Sequence, residues 1–395
     1  MDILLKIAAS YTMFAFVRDF YKISSGFFYT PPKAIRKRPL SGPLVSVIIP
    51  AWNEEIGIVR TVNSVIANTY WNTEVIIVDD GSTDKTKEVA QALAVKWSSH
   101  VRVISKKNGG KANALNTGIA NAKGSLILTL DADSFLERDS IEKLVMALSN
   151  DKYSVAIGEV VVGNLKTWLG RAQHYEYTVG FHAKRSQHIF NSSYIFPGAL
   201  TLFRKSVLDE VGEFTDYSST EDLDISMRIK MAGHKIAYVD SAICVTEGAS
   251  TVKGLLNQRT RWRHGYLECL LHHKTFFISR QKGSYLTLVD LPLQLLGVFE
   301  VLLFPFIVAI LGYFVIIGSS PLILIAAYLL VPFTLILLAD VRDKYTHNKL
   351  WTLSVPFMLL FIACIEYVAL LKSIYRTVRR KRTQWTVWQR TGASN

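Results

Sequence analysis

Three long apolar stretches run through the last third of the chain, at 291–317, 321–339 and 351–371. Each has about the 20-residue length that a helix needs to cross a bilayer. Three in succession mark membrane spans rather than core helices. They also account for a mean hydropathy of +0.22 in a chain that is 50% hydrophobic and only 19% charged. That balance excludes a disordered chain and argues against a wholly soluble one. The 395 residues allow two to three domains of about 150 residues each.

The net charge is +13, from 45 basic and 32 acidic residues. Much of the excess flanks apolar segments. Arg18, Lys22, Lys33, Arg36, Lys37 and Arg38 follow a first apolar run at 3–17. Lys372, Arg376, Arg379, Arg380, Lys381 and Arg382 follow the last one. Basic clusters beside spans mark the cytoplasmic side, so the charge points to a membrane and no nucleic-acid partner is expected. The run at 3–17 has 15 residues, short for a span. No small-residue cleavage site precedes its basic flank, so a short span or interfacial anchor is expected, not a signal peptide. Three complete crossings after a cytoplasmic domain would put the basic tail outside. Either the tail disobeys the charge rule or one stretch does not cross. Pro292, Gln294, Glu300 and Pro305 interrupt 291–317, and Pro356 and Glu366 interrupt 351–371. Cys244, Cys269 and Cys364 are too few and scattered for a disulfide framework or a zinc site.

From 44 to about 244 the pattern changes. Short β-branched runs at 45–49 (VSVII), 74–78 (EVIIV), 100–105 and 125–130 (SLILTL) alternate with helical periodicity at 54–68 and 84–97. This predicts an α/β domain with a mainly parallel sheet. Ligands of such sheets bind beyond the carboxyl ends of the strands, and Asn53, Asp79, Asp80, Asp131 and Asp133 gather there. Residues 251–273 mix basic, aromatic and apolar side chains, as an interfacial amphipathic segment does.

Five short motifs carry candidate chemistry. Asp79-Asp80-Gly81-Ser82 ends a strand, where carboxylates can meet ribose or base N–H groups and glycine permits a tight turn. Asp131-Ala132-Asp133 can share one hard cation such as Mg²⁺ or Mn²⁺, which then neutralises a pyrophosphate. Lys111, just past paired glycines in NGGKANALN, can meet phosphate as a point charge. Neither G-x-G-x-x-G nor a P-loop occurs, which argues against dinucleotide and P-loop nucleotide chemistry. Thr220-Glu221-Asp222 opens a helix at about 223–231; it either caps that helix or supplies a proton acceptor, for which Asp222 is the choice. Gln258-Arg259-Thr260-Arg261-Trp262 fits a sugar-stacking ring beside phosphate-facing guanidiniums, or an interfacial anchor.

In order, IPAWNEE, VDDGSTD, NGGKANALN, DAD, STED and QRTRW resemble the processive family 2 glycosyltransferases. That group holds the hyaluronan, chitin, cellulose and poly-N-acetylglucosamine synthases. The resemblance runs from about Val45 to Trp262. It implies a GT-A nucleotide-diphospho-sugar transferase fold at 41–250. Around it lie an N-terminal membrane segment and basic linker (1–40), an interfacial segment (251–290), transmembrane segments (291–372) and a basic cytosolic tail (373–395). It implies that Pro50, Asn53, Glu54, Asp79 and Asp80 hold uridine and that Lys111 approaches the donor phosphates. Asp131 would contact donor and, with Asp133, the metal. Asp222 would be the general base, and Glu221, Gln258, Arg259, Arg261 and Trp262 would border acceptor and pyrophosphate. Trp388-Gln-Arg-Thr-Gly392 looks like a degenerate form of the lid motif of hyaluronan synthases, which places the tail in the cytoplasm. Trp52 stands where the family has Tyr or Phe, keeping a ring.

The expected enzyme is therefore a multi-pass protein of the plasma membrane with its catalytic domain in the cytoplasm. It would move a sugar from UDP-N-acetylglucosamine or UDP-glucose, with inversion, to a growing β-linked polysaccharide. Membrane lipid surrounds it, and the short membrane part leaves room for a homo-oligomer or an accessory subunit. The alternative is a non-processive transferase acting on a lipid-linked acceptor. A third reading, a transporter or receptor that only binds nucleotide sugar, needs neither the metal pair nor the base.

Overall fold

The computed structural model describes residues 2–33, 42–278, 285–316 and 349–380. The expected span at 321–339 and the WQRTG sequence at 388–392 lie outside these residues.

Eight strands form one sheet: β1 (Val45–Ala51), β2 (Thr73–Asp79), β3 (Val101–Ser105), β4 (Leu126–Thr129), β5 (Ser134–Leu136), β6 (Val155–Val162), β7 (Thr201–Arg204) and β8 (Ile236–Thr246). Their order is β3-β2-β1-β4-β7-β6-β8-β5. The first four pair in parallel. Every residue of β1 is buried, which is why it reads as a continuous apolar run without alternation. Pro50 is tolerated because it lies beyond Ile48, the last β1 residue paired with β4. Helices α2 (Ile58–Ile66), α3 (Thr86–Lys96) and α4 (Lys111–Ala120) make the crossovers. The apolar spacing of Ile58, Val62 and Val65 gives α2 one buried face.

The second half of the sheet adds antiparallel pairings to the expected, mainly parallel arrangement. Strand β7 is antiparallel to β4 and β6, and β5 is antiparallel to β8; only β6 and β8 pair in parallel. The sheet is mixed. Chain progression reverses at β1: β2 and β3 build to one side, and β4 returns on the other. A crevice opens at such a switch point, beyond the strand carboxyl ends.

Helices α5 (Ser140–Leu148), α6 (Trp168–Ile189), α7 (Lys205–Val211) and α8 (Glu221–Met231) complete the domain. After β8 come α9 (Val252–His272) and α10 (Lys274–Ile278). Then follow the long α11 (Leu291–Ile316) and α12 (Val355–Val378). Among the described residues, Leu286–Leu303 and Val355–Val378 are helical stretches long and apolar enough to cross a membrane. The first apolar run lies within a longer helix than expected, α1 (Asp2–Gly26). Its end packs on α6, where Ser25 Oγ donates to Ser186 Oγ at 2.7 Å, and Arg18 pairs with Glu300 of α11. Beside the main core, Leu169, Tyr175, Leu255, Met358 and Ile362 join α6, α9 and α12 in a second apolar cluster. All three cysteines are free.

Candidate active site

The loops after β1 and β2 are stitched together. Asn53 sits at φ 56°, in the left-handed region that Asn tolerates. Its Oδ1 accepts from Thr83 N at 2.8 Å, and its N–H donates to Ser82 Oγ at 3.0 Å. Asp79 Oδ1 accepts from Ser82 N at 3.1 Å across the turn at Gly81, whose φ is 71°. The buried Glu54 is held through its N–H, which donates to Thr86 Oγ1 at 2.7 Å. Asp80 is fully buried. Its carboxylate accepts from Lys106 Nζ at 2.6 Å, Gly109 N at 3.0 Å and Gly110 N at 2.7 Å. Asp80 thus fastens the glycine turn that launches Lys111 as the first residue of α4. Gly110 has φ 87° there, which a side chain would strain.

Lys111 reaches across the crevice. Its Nζ lies 2.7 Å from Asp131 Oδ1 and 3.2 Å from Glu221 Oε1. Burial alone would lower its pKa, but Asp131, Glu221 and Asp222 outweigh that and hold it above the usual lysine range. Asp222 Oδ1 accepts from Leu223 N at 2.9 Å at the start of α8. Its pKa is pushed up to about 6, by burial first and by Glu221 second, against the pull of Lys111 and Arg261. Gly198 is the floor of this cluster. A Cβ there would lie 3.1 Å from Asp222 Oδ2, 3.3 Å from Lys111 Nζ and 3.8 Å from Asp131 Oδ2. Three residues remote in sequence therefore meet around one glycine. A small pocket beside them is lined by Pro197, Gly198, Glu221 and Asp222.

Asp131 and Asp133 sit half-buried where β4 ends. Asp133 Oδ1 accepts from Ser134 Oγ at 2.9 Å. Among the described residues no group of three or more His, Cys, Asp or Glu side chains forms a cage for a metal. Two carboxylates of this kind fit a hard cation that takes its other oxygens from water and a diphosphate.

Helix α9 crosses close to the strand of chain before Asp222. A Cβ on Gly265 would lie 2.3 Å from Thr220 Oγ1. Ser219 Oγ donates to Arg261 O at 3.1 Å, and Arg261 Nη1 donates back to Ser219 O at 3.2 Å. Arg261 is thereby held beside Asp222. Trp262 is half-buried, its ring 6.3 Å from that of Tyr177. Gln258 Oε1 accepts from Arg259 Nη1 at 3.3 Å. Arg259 itself differs from the expectation of a phosphate-facing side chain. It is 1% exposed, and its guanidinium is committed to Glu176 of α6 and Glu366 of α12.

Sequence reasoning missed Gly198, Lys106, Glu176 and Tyr177, which no local pattern marks. It also missed Lys184 of α6, whose Nζ donates to Ile195 O at 2.6 Å. Burial pushes Lys184 down to about 8, with Asp222 and Asp290 opposing. Glu366 was visible only as the carboxylate in an otherwise apolar stretch.

Residues 46–212 match the family described as Glycosyl transferase family 2. Over that segment the chain is similar to the family 2 glycosyltransferases. Among curated proteins it is similar to the poly-beta-1,6-N-acetyl-D-glucosamine synthase of Staphylococcus aureus (strain COL). They are 32% identical over 267 residues, 66% of this chain and 64% of the relative. The synthase of Staphylococcus epidermidis is 32% identical over 243 residues, 61% of this chain and 58% of the relative. The chain thus spans under two thirds of the length of these relatives. In fold it is similar to the mannosyltransferase PcManGT from Pyrobaculum calidifontis, solved with GDP-Man and Mn²⁺. The TM-score is 0.67 at 20% identity, covering 96% of this chain and 100% of that one. The GT-A-like mixed α/β fold is therefore shared.

Proposed function

We propose that the protein is a membrane-bound inverting glycosyltransferase. It takes a sugar from a nucleotide-diphospho-sugar, UDP-N-acetylglucosamine or UDP-glucose, and adds it to the end of a β-linked polysaccharide. The observation that carries this reading is the meeting of Lys111, Asp131, Glu221 and Asp222 around Gly198. Pure binding needs no raised carboxylate at its centre; proton abstraction does.

In this reading the loops after β1 and β2, with Pro50, Asn53, Glu54 and Asp79, flank the nucleoside. Lys111 exchanges Asp131 for a donor phosphate and stays cationic through the reaction. Asp222 Oδ2 takes the proton of the acceptor hydroxyl as its oxygen bonds to the anomeric carbon. The bond from that carbon to the diphosphate oxygen breaks, and the nucleoside diphosphate leaves with the electron pair. Asp131 and Asp133 would hold Mg²⁺ or Mn²⁺, which when bound supplies positive charge to the leaving diphosphate. Arg261 faces that charge from the acceptor side, and Trp262 offers a ring for the acceptor sugar. Direct attack on an α-linked donor yields a β linkage. The apolar stretches Leu286–Leu303 and Val355–Val378 support a location in a membrane. The basic flanks support a cytoplasmic catalytic domain.

The test is to incubate membranes carrying the protein with radiolabelled UDP-sugars and Mn²⁺, then size the product. Labelled polymer is expected. Label that extracts entirely with lipid would favour the lipid-carrier alternative, and no UDP release from any donor would overturn the reading.

A further inference from the structure

We propose that Glu366, on the apolar helix α12, is a positioning residue for the Trp262 platform, acting through Arg259. This rests on the reading of Trp262 as the acceptor ring. Glu366 is 8% exposed and is the one carboxylate of α12. Its Oε1 lies 3.2 Å from Arg259 Nε, and its Oε2 accepts from Arg263 Nε at 2.6 Å. Arg259 is held from the other side by Glu176 Oε2, which accepts from Nη2 at 2.6 Å. Its guanidinium carbon lies 4.2 Å from the centre of the Trp262 ring. On α9, Trp262 and Arg263 follow Arg259 by three and four residues, so all three side chains leave neighbouring positions of one helix surface. The two arginines and two carboxylates balance in charge. The same face is pinned again where Ser373 Oγ of α12 donates to Thr260 O at 3.0 Å.

The pairing explains two otherwise costly features. A carboxylate in an apolar helix is expensive unless it is paired. A guanidinium sealed from water is costly too, and the attraction of the indole face offsets only part of that cost unless anions pair with it. Glu366 meets both conditions, because its second oxygen accepts from Arg263 Nε while its first places a negative charge 3.2 Å from Arg259 Nε, an atom with no hydrogen bond among the described residues, and so holds the guanidinium by charge alone. The apolar helix thereby sets the angle of a ring in the acceptor region, on an element that the parallel strand ends do not control.

The experiment uses the full chain in detergent, with UDP-N-acetylglucosamine as donor and a short N-acetylglucosamine oligosaccharide as acceptor. Glu366→Gln is expected to raise the acceptor KM about tenfold, at least five times more than it raises the donor KM. Glu366→Asp should recover most of that loss. In a Trp262→Ala background Glu366→Gln should add nothing, since both then remove the same element. Equal changes in the two KM values, or additive losses in the double variant, would overturn the proposal. A second measurement needs no turnover. Acrylamide quenching of the Trp262 emission, taken as the difference between each protein and its Trp262→Phe counterpart, should rise about twofold in Glu366→Gln. Unchanged quenching would overturn the clasp whatever the activity. A wild-type protein that turns over no UDP-sugar but shows the rise would instead overturn the transferase reading and keep the clasp.

Discussion

The two sides of the crevice are built by different physics. On the side read as the donor's, β1, β2 and β4 end together, and each candidate group lies at a strand end, within four residues past one, or at the first residue of a helix. On the side read as the acceptor's, α6, α9 and α12 meet through ion pairs between residues 83 to 107 positions apart, Glu176 with Arg259 and Arg259 with Glu366. The donor side therefore inherits its precision from a rigid parallel sheet. The acceptor side inherits it from buried charges that must all be present at once.

Legibility follows the same division. The runs at 45–49, 74–78 and 125–130 became β1, β2 and β4 within about two residues, because strands buried on both faces read as continuous apolar runs. Their acidic ends followed automatically. Strands β5 and β7, of three and four residues, are too short to show a period and were not foreseen. Helix α6 shows no apolar stripe, because polar side chains, Gln173, His174, His182, Arg185 and Ser186, make up much of what it buries. Asp80 was legible as a strand-end carboxylate, but its commitment to Lys106 and to Gly109 and Gly110 depends on a loop almost 30 residues away. Arg259 misled for the same reason: its motif places it beside Trp262, whereas only the tertiary fold brings Glu176 and Glu366 to it.

If the donor side depends on a cation between Asp131 and Asp133, chelation or Asp133→Ala should cut turnover about a thousandfold, restored by Mn²⁺ only in the wild type. Turnover indifferent to chelator would remove that cation from the account. If the acceptor side depends on charge balance, Arg259→Leu should strand Glu176 and Glu366. It should cost about 3–5 kcal/mol in stability, read as loss of the folded full chain on thermal challenge in detergent. A stability equal to wild type would mean that the pair is solvated and the contrast between the two sides is false. The smallest effect is expected at the junction. Gly198→Ala puts a methyl within 3.1 Å of Asp222 Oδ2 and 3.3 Å of Lys111 Nζ. It should lower kcat about tenfold with stability little changed. Full activity would show that the crevice relaxes freely at its centre.

The central claim is that Asp222 is the base at the point where the two sides meet. The direct test is the pH dependence of UDP release by the full chain, wild type and Asp222→Asn, with UDP binding measured in parallel. Asp222 must be ionised to accept a proton, so wild-type kcat/KM should fall as pH drops through about 6 and level off above it. Asp222→Asn should lose about a thousandfold across the range while holding UDP as tightly as the wild type. An Asn variant that retains more than about a tenth of the rate would contradict the account, because base catalysis is worth at least about a hundredfold.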